Sequence, residues 1–191
     1  SRAVQKARKR QSEGGVFSGS TEEPLYGDTY LPRKFKVAVT VPGDNSVDLL
    51  TQDIGLVAFT DPSGDLRGCN VYVGGGMGRT HNKEETFART ADPLGYVDAA
   101  DVLDVVQAIL ALQRDHGDRE VRKHARMKYL LHDKGIQWFR DTLCATYFKG
   151  DLKGLRKEPK AKLLDYLGWH RQKAGMWFVG LPLLCGRLNG D

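Results

Sequence analysis

Tyr30-Leu31-Pro32-Arg33-Lys34-Phe35-Lys36-Val37-Ala38-Val39 decides the reading of this chain, because a basic cluster here runs directly into a strand pattern. Side chains on an extended strand alternate between faces, so Lys34 and Lys36 leave one face about 7 Å apart. Phe35, Val37, Val39 and Val41 leave the other face and are available for burial. Two ammonium groups held that close on a rigid surface repel each other unless an anion sits between them. Arg33, on the Phe35 side by the same alternation, is in reach of a different carboxylate or phosphate. The residues suit an anion site fixed to a sheet, and they suit equally an edge strand guarded by lysines against aggregation.

Outward from this stretch, strand patterns recur over 35–41, 54–59 and 70–73. Pro42-Gly43-Asp44-Asn45 and Asp61-Pro62-Ser63-Gly64 punctuate them as turns. The spacing predicts three adjacent strands, the last pair forming a hairpin. The period then changes. Asp98 is a candidate helix start, and Ala99, Val102, Leu103, Val106, Ile109 and Leu110 recur at three- and four-residue steps up to Gly117. A second helix is expected over 120–132. Gly135 separates it from a third, whose Ile136, Phe139, Leu143 and Tyr147 form one apolar stripe. The fold class expected is α+β, a sheet of mainly antiparallel strands with three packed helices.

The second informative run is Asn70-Val71-Tyr72-Val73-Gly74-Gly75-Gly76-Met77-Gly78-Arg79-Thr80-His81-Asn82. A strand ending in three glycines lets a bulky ligand lie against backbone and exposes N–H groups to anions. Arg79, His81 and Lys83 follow at once. The run fails the dinucleotide fingerprint and lacks the Gly-Lys-Ser/Thr ending of a phosphate loop. No His-Glu-x-x-His and no Gly-x-Ser-x-Gly nucleophile elbow occurs in the chain.

Composition sets the outer bounds. The 191 residues are 40% apolar and 28% charged, as in a globular protein, with 22 glycines and a net charge of +5. Basic clusters fall at 1–10, 119–128 and 149–162. They are compatible with a polyanion or an acidic partner, but no nucleic-acid-binding signature accompanies them, so nucleic acid is not expected. No apolar run has membrane-spanning length. Cys69, Cys144 and Cys185 are few, odd in number and far apart, which points to reduced thiols and a cytoplasmic setting.

Taken together, Leu31–Lys36, Asn70–Gly78 and Thr86-Phe87-Ala88-Arg89-Thr90-Ala91-Asp92-Pro93-Leu94-Gly95-Tyr96-Val97 resemble assimilatory sulfite reductases. Gly78-Arg79-Thr80-His81 is most similar to their ferredoxin-dependent branch. Further agreement lies in Arg122-Lys123-x-Ala125-Arg126-x-Lys128-Tyr129 and Tyr166-Leu167-Gly168-Trp169-His170. The resemblance runs from about Glu23 to Arg187. It implies reduction of sulfite to sulfide at a sirohaem coupled to a 4Fe–4S cluster, with ferredoxin as electron donor. Lys34 and Lys36 would hold the oxyanion and help deliver protons. Arg33, Asn70, Gly74, Gly75, Gly76, Met77, Gly78, Arg79, Asn82 and Arg122 would contact the cofactor. Related nitrite reductases usually carry asparagine at the position of Lys36, which tilts the implied substrate to sulfite.

One departure stands out. The family's cluster ligands come as Cys-x5-Cys and Cys-x3-Cys, and neither spacing exists among Cys69, Cys144 and Cys185. The chain is therefore expected to be an interior piece that lacks the cluster ligands and is inactive alone. Its expected divisions are a basic segment and connector (1–28), a sirohaem-contacting domain (29–149), a basic linker (150–162) and the opening of a following domain (163–191).

Overall fold

The computed structural model describes residues 25–27, 29–162, 165–183 and 186. The basic segment over 1–10, nearly all of the connector up to 28, and Cys185 lie outside the described residues.

Four strands form one sheet in the order β1 (Val37–Thr40), β2 (Ile54–Thr60), β3 (Leu66–Val73) and β4 (Asp92–Asp98). β1 runs parallel to β2, while β2–β3 and β3–β4 are antiparallel. The β2–β3 hairpin forms as the sequence predicts. Its turn is set by Asp61, whose carboxylate accepts the Ser63 and Asp65 N–H groups at 2.9 and 3.0 Å. β4 escapes sequence reading because Pro93 and Gly95 interrupt its pattern. The ladder accommodates them through a register shift opposite Val71 and Tyr72.

Two long helices, α1 (Val102–His116) and α2 (Met127–Thr142), pack on one face of this sheet, where three were expected. A short 3-10 turn, Ala99–Asp101, stands between Asp98 and α1, and Asp98 makes no side-chain cap. Val105, Ala108, Ile109, Ala111 and Leu112 form the buried stripe of α1, and Gly117 ends it. The helix expected from residue 120 begins only at Met127. Before that point the Asp118 carboxylate captures the Glu120 and Val121 N–H groups at 2.8 and 2.9 Å, which fixes a turn instead. Gly135 breaks the helix as expected (φ 80, ψ 159), so the second and third expected helices are the two segments of α2. Phe139 and Leu143 are fully buried against Ile54, Val71 and Val97.

The apolar face of the opening stretch is only partly buried. Phe35 packs against the core, but Val37, Val39 and Val41 are 46%, 56% and 52% exposed. β1 is the edge strand, and the helices cover its neighbours rather than β1 itself.

Residues 150–162, read as a basic linker, lie across the other face of the sheet. Lys153 pairs with Tyr96 through two backbone hydrogen bonds of 2.9 Å. The Asn70 amide donates to the Arg156 carbonyl and accepts its N–H, each at 2.8 Å. The Arg156 guanidinium lies 4.3 Å from the Tyr96 ring centroid, Tyr72 donates to Glu158, and Lys162 N–H reaches the Gly43 carbonyl at 2.9 Å. Further on, the stretch expected to open a following domain contains a hairpin. β5 (Gly168–Arg171) and β6 (Trp177–Gly180) form a separate antiparallel pair, turned by Gly175 at φ +81. Trp169 and Trp177 are 72% and 59% exposed on it. No helix among the described residues is long and apolar enough to cross a membrane.

Asn70 therefore fastens the crossing segment to the sheet. Replacing it by leucine strands the Arg156 peptide groups, and Asn70→Leu is expected to lower unfolding free energy by about 2 kcal/mol or more, measured by urea denaturation of the purified chain.

Candidate functional site

Val37, Ile54, Val73 and Asp92 stand side by side in the sheet register. One residue further out on each strand come Lys36, Asp53, Gly74 and Ala91, so both runs singled out in the sequence leave the sheet at the same end. That juxtaposition is a property of topology: β1, β2 and β4 begin where β3 finishes.

At this end Lys36 is held on both sides of its α-carbon. Its N–H donates to Asp53 Oδ2 at 3.0 Å, and its carbonyl accepts the Ile54 N–H at 3.0 Å. Phe35 points into the core while Lys34 and Lys36 are exposed, the alternation expected of extended chain. Neither ammonium has a hydrogen bond or ion pair among the described residues.

Asp53 is fully buried and shares Oδ2 with Arg126, whose Nη2 donates to it at 2.7 Å and to the Gly75 carbonyl at 3.3 Å. Burial pushes the Asp53 carboxyl up, against the downward pull of the Arg126 hydrogen bond and charge. Asp53 Oδ1 and Arg126 Nε lack partners.

The glycine run does not offer its first N–H groups to an anion. Gly74, Gly75 and Gly76 donate to the carbonyls of Asp53, Gln52 and Arg89 at 2.9, 3.0 and 2.8 Å. The expectation of free donors fails because the run continues the backbone pairing past β3. What the glycines supply is close approach. A Cβ on Gly75 would lie 2.6 Å from the Gln52 carbonyl oxygen, and one on Gly76 would lie 2.7 Å from Arg126 Nη1.

The carbonyls of the run face cations. Arg89 Nη1 donates to Gly74 at 3.0 Å. Lys128, 1% exposed, donates to Gly76 at 3.2 Å, to Gly78 at 2.7 Å and to Phe87. Its ammonium lies 4.8 Å from the Tyr129 ring centroid, and burial lowers its pKa. Beyond this anchor Met77, Gly78, Arg79, Thr80, His81 and Asn82 are exposed.

The expected residues divide accordingly. Lys34, Lys36 and Gly74–Gly76 are joined through Asp53 and Arg126, and Met77, Gly78, Arg79 and Asn82 extend from that joint. Arg33 is half-buried in the approach to β1. Arg122 is exposed in the turn before Arg126, a turn tied to Glu85 by the His124 ring at 2.8 Å. Asn70 stands apart: it is fully buried on the opposite face, with its amide committed to Arg156. Sequence reading missed Asp53, Arg89 and the anchoring roles of Arg126 and Lys128. The last two carried a signal, being cations inside an otherwise buried helix start.

This donor set suits a ligand rich in carboxylates. Arg33, Lys34, Lys36, Arg79 and Arg122 make no salt bridge among the described residues, and the peptide of Lys36 is held on both sides. A sirohaem fits that requirement. A 4Fe–4S cluster does not fit the described cysteines. Cys69 is buried in the sheet with its thiol pushed up to about 11 by burial, whereas Cys144 is exposed on the π-turn Leu143–Tyr147. The described residues hold no group of three or more His, Cys, Asp or Glu side chains able to ligate a metal.

The family model described as the nitrite and sulphite reductase 4Fe-4S domain matches residues 14–152. A "Sulfite reductase [ferredoxin]" of Synechococcus elongatus is 59% identical over 185 residues, covering 97% of this chain and 29% of that protein. The "Sulfite reductase [NADPH] subunit beta" of Saccharomyces cerevisiae is 43% identical over 155 residues, 81% of this chain and 11% of that one. The solved structure of the Mycobacterium tuberculosis NirA protein superposes with a TM-score of 0.70 at 29% identity, covering 97% of this chain and 31% of its own. The chain thus spans less than a third of the length of these relatives. On the strength of the family match and the shared fold, this chain belongs to the nitrite and sulphite reductase 4Fe-4S domain family.

Proposed function

We propose that this chain contributes the anion-binding lysines and one wall of the sirohaem pocket to a cytoplasmic, ferredoxin-dependent sulfite reductase, which reduces sulfite to sulfide with six electrons. The observation that carries the reading is the pair of exposed ammonium groups, Lys34 and Lys36, without hydrogen bond or salt bridge among the described residues, the Lys36 peptide being pinned by a buried carboxylate. Ferredoxin as donor and sulfite as substrate follow from the name of the Synechococcus relative.

Sirohaem, when bound, supplies the redox chemistry. The protein supplies charge and protons. Lys34 and Lys36 draw the sulfite oxygens toward one side of the pocket and hold them there. Each oxygen lost as water takes two protons, with two electrons that the bound cofactor would supply; a fixed ammonium would stabilise the charge growing on that oxygen and donate one of the protons, the second coming from the other lysine or from solvent. Arg33, Arg79 and Arg122 pair with cofactor carboxylates, and Asn82 hydrogen-bonds beside them. Met77 and Gly78 would contact the cofactor, and Lys128 holds the loop that carries them through the Gly76 and Gly78 carbonyls. Cluster ligands come from elsewhere in the parent protein, so the isolated chain reduces no sulfite.

In the parent enzyme Lys36→Asn is expected to lower kcat/KM for sulfite about 100-fold and for nitrite less than about ten-fold. Steady-state rates with both anions check this, and equal losses argue for a nitrite reductase or for a role of Lys36 away from the anion. Lys128→Met, close in length and uncharged, leaves the Gly76, Gly78 and Phe87 carbonyls without their donor. It is expected to cost about 3 kcal/mol of stability, read by urea unfolding, and to reduce sirohaem uptake, read from Soret absorbance.

A further inference from the structure

We infer that Asp53 is a positioning residue for the anion site: its buried carboxylate clamps the backbone of Lys36 and, through Arg126, ties it to the glycine run. The inference rests on the reading of Lys36 as an anion ligand, and it concerns a residue that touches neither substrate nor cofactor.

Three observations converge. The β1–β2 ladder begins at Val37 opposite Ile54, so the Lys36 N–H lies one step beyond the last regular pairing. Asp53 Oδ2 supplies the missing acceptor at 3.0 Å, while the Ile54 N–H holds the Lys36 carbonyl at 3.0 Å. β1 is an edge strand, so the support of Lys36 comes from this side alone among the described residues. The same oxygen receives Arg126 Nη2 at 2.7 Å, and that nitrogen also donates to the Gly75 carbonyl. Gly75 in turn donates to Gln52, the neighbour of Asp53, which closes a short circuit of hydrogen bonds.

An apolar residue at this position would avoid the desolvation cost of a fully buried carboxylate. It would also release the Lys36 peptide, and the ammonium would then sweep a larger volume. A catalytic charge is effective when its position is set before the reaction. Asp53 therefore acts on Lys36 first through its backbone, with the attraction between the two charges beside it.

Hydrogen exchange on the full-length, cofactor-loaded reductase tests the clamp without a variant. The Lys36 amide is expected to exchange within about ten-fold of the Ile54 amide; exchange at the rate of an open loop overturns the proposal. Asp53→Ala, which removes the acceptor that an asparagine would keep, then enters a double-mutant cycle with Lys36→Ala. It is expected to lower sulfite kcat/KM about ten-fold when Lys36 is present and less than about two-fold in the Lys36→Ala background. Equal losses in both backgrounds mean that Asp53 serves only the fold, and the positioning role falls. Unchanged sulfite kinetics in Lys36→Ala alone removes the anion-ligand reading and the positioning role with it, while the exchange result still reports on the clamp. Should Asp53→Ala yield no folded protein, Asp53→Glu, which keeps the charge but moves the acceptor by one methylene, is read by the same cycle.

Discussion

The ion pair of Asp53 and Arg126 joins the two halves of the site. A carboxylate taken fully out of water is expensive, and it persists where opposite charge and hydrogen bonds surround it. Here those partners are the Arg126 guanidinium and the Lys36 peptide. Because Arg126 also grips Gly75, one buried charge sets the distance between a lysine-bearing strand and a glycine loop. Loss of either partner would leave a lone ion in the interior, so the geometry holds together as a unit.

Lys128 has the matching role at the start of α2. It makes no salt bridge among the described residues; its ammonium donates to the Gly76, Gly78 and Phe87 carbonyls. Beyond the glycine loop Arg79 and Arg122 are exposed, in segments tied down by Thr86 and Glu85. A pocket wall of this kind is rigid below and cationic above, which suits a large flat ligand bearing several negative groups.

Much of this was legible in the chain itself. Lys34 and Lys36 bracketing Phe35 gave the alternation of the approach to β1 but not of β1 itself, where Ala38 and Thr40 are less exposed than Val37 and Val39, and the Asp61–Gly64 turn gave the hairpin. Gly135 marked a helix break that the backbone makes at positive φ. The losses have separate physical causes. β4 hid behind Pro93 and Gly95, because strand patterns assume residues that fit a regular ladder. Asp53 hid because a lone acid before an apolar run reads as a solvated turn residue, and only tertiary pairing reveals its burial. The glycine N–H groups were assigned to a ligand because one strand in isolation cannot show that its neighbours already take them. Asn70, grouped with the glycines by proximity in sequence, faces the other side of the sheet and packs the crossing segment there.

The bare flank of β1 has its own consequence for handling this chain. Val37, Val39 and Val41 present a row of branched apolar side chains on a strand that pairs on one side only among the described residues, and the lysines stand at only one end of that row. Such a margin accepts a strand from whatever chain comes near, including a second copy of itself. Renaturation from denaturant is therefore a contest between intramolecular collapse and chain-to-chain zippering, and dilution, which slows only the second, governs how much monomer is recovered.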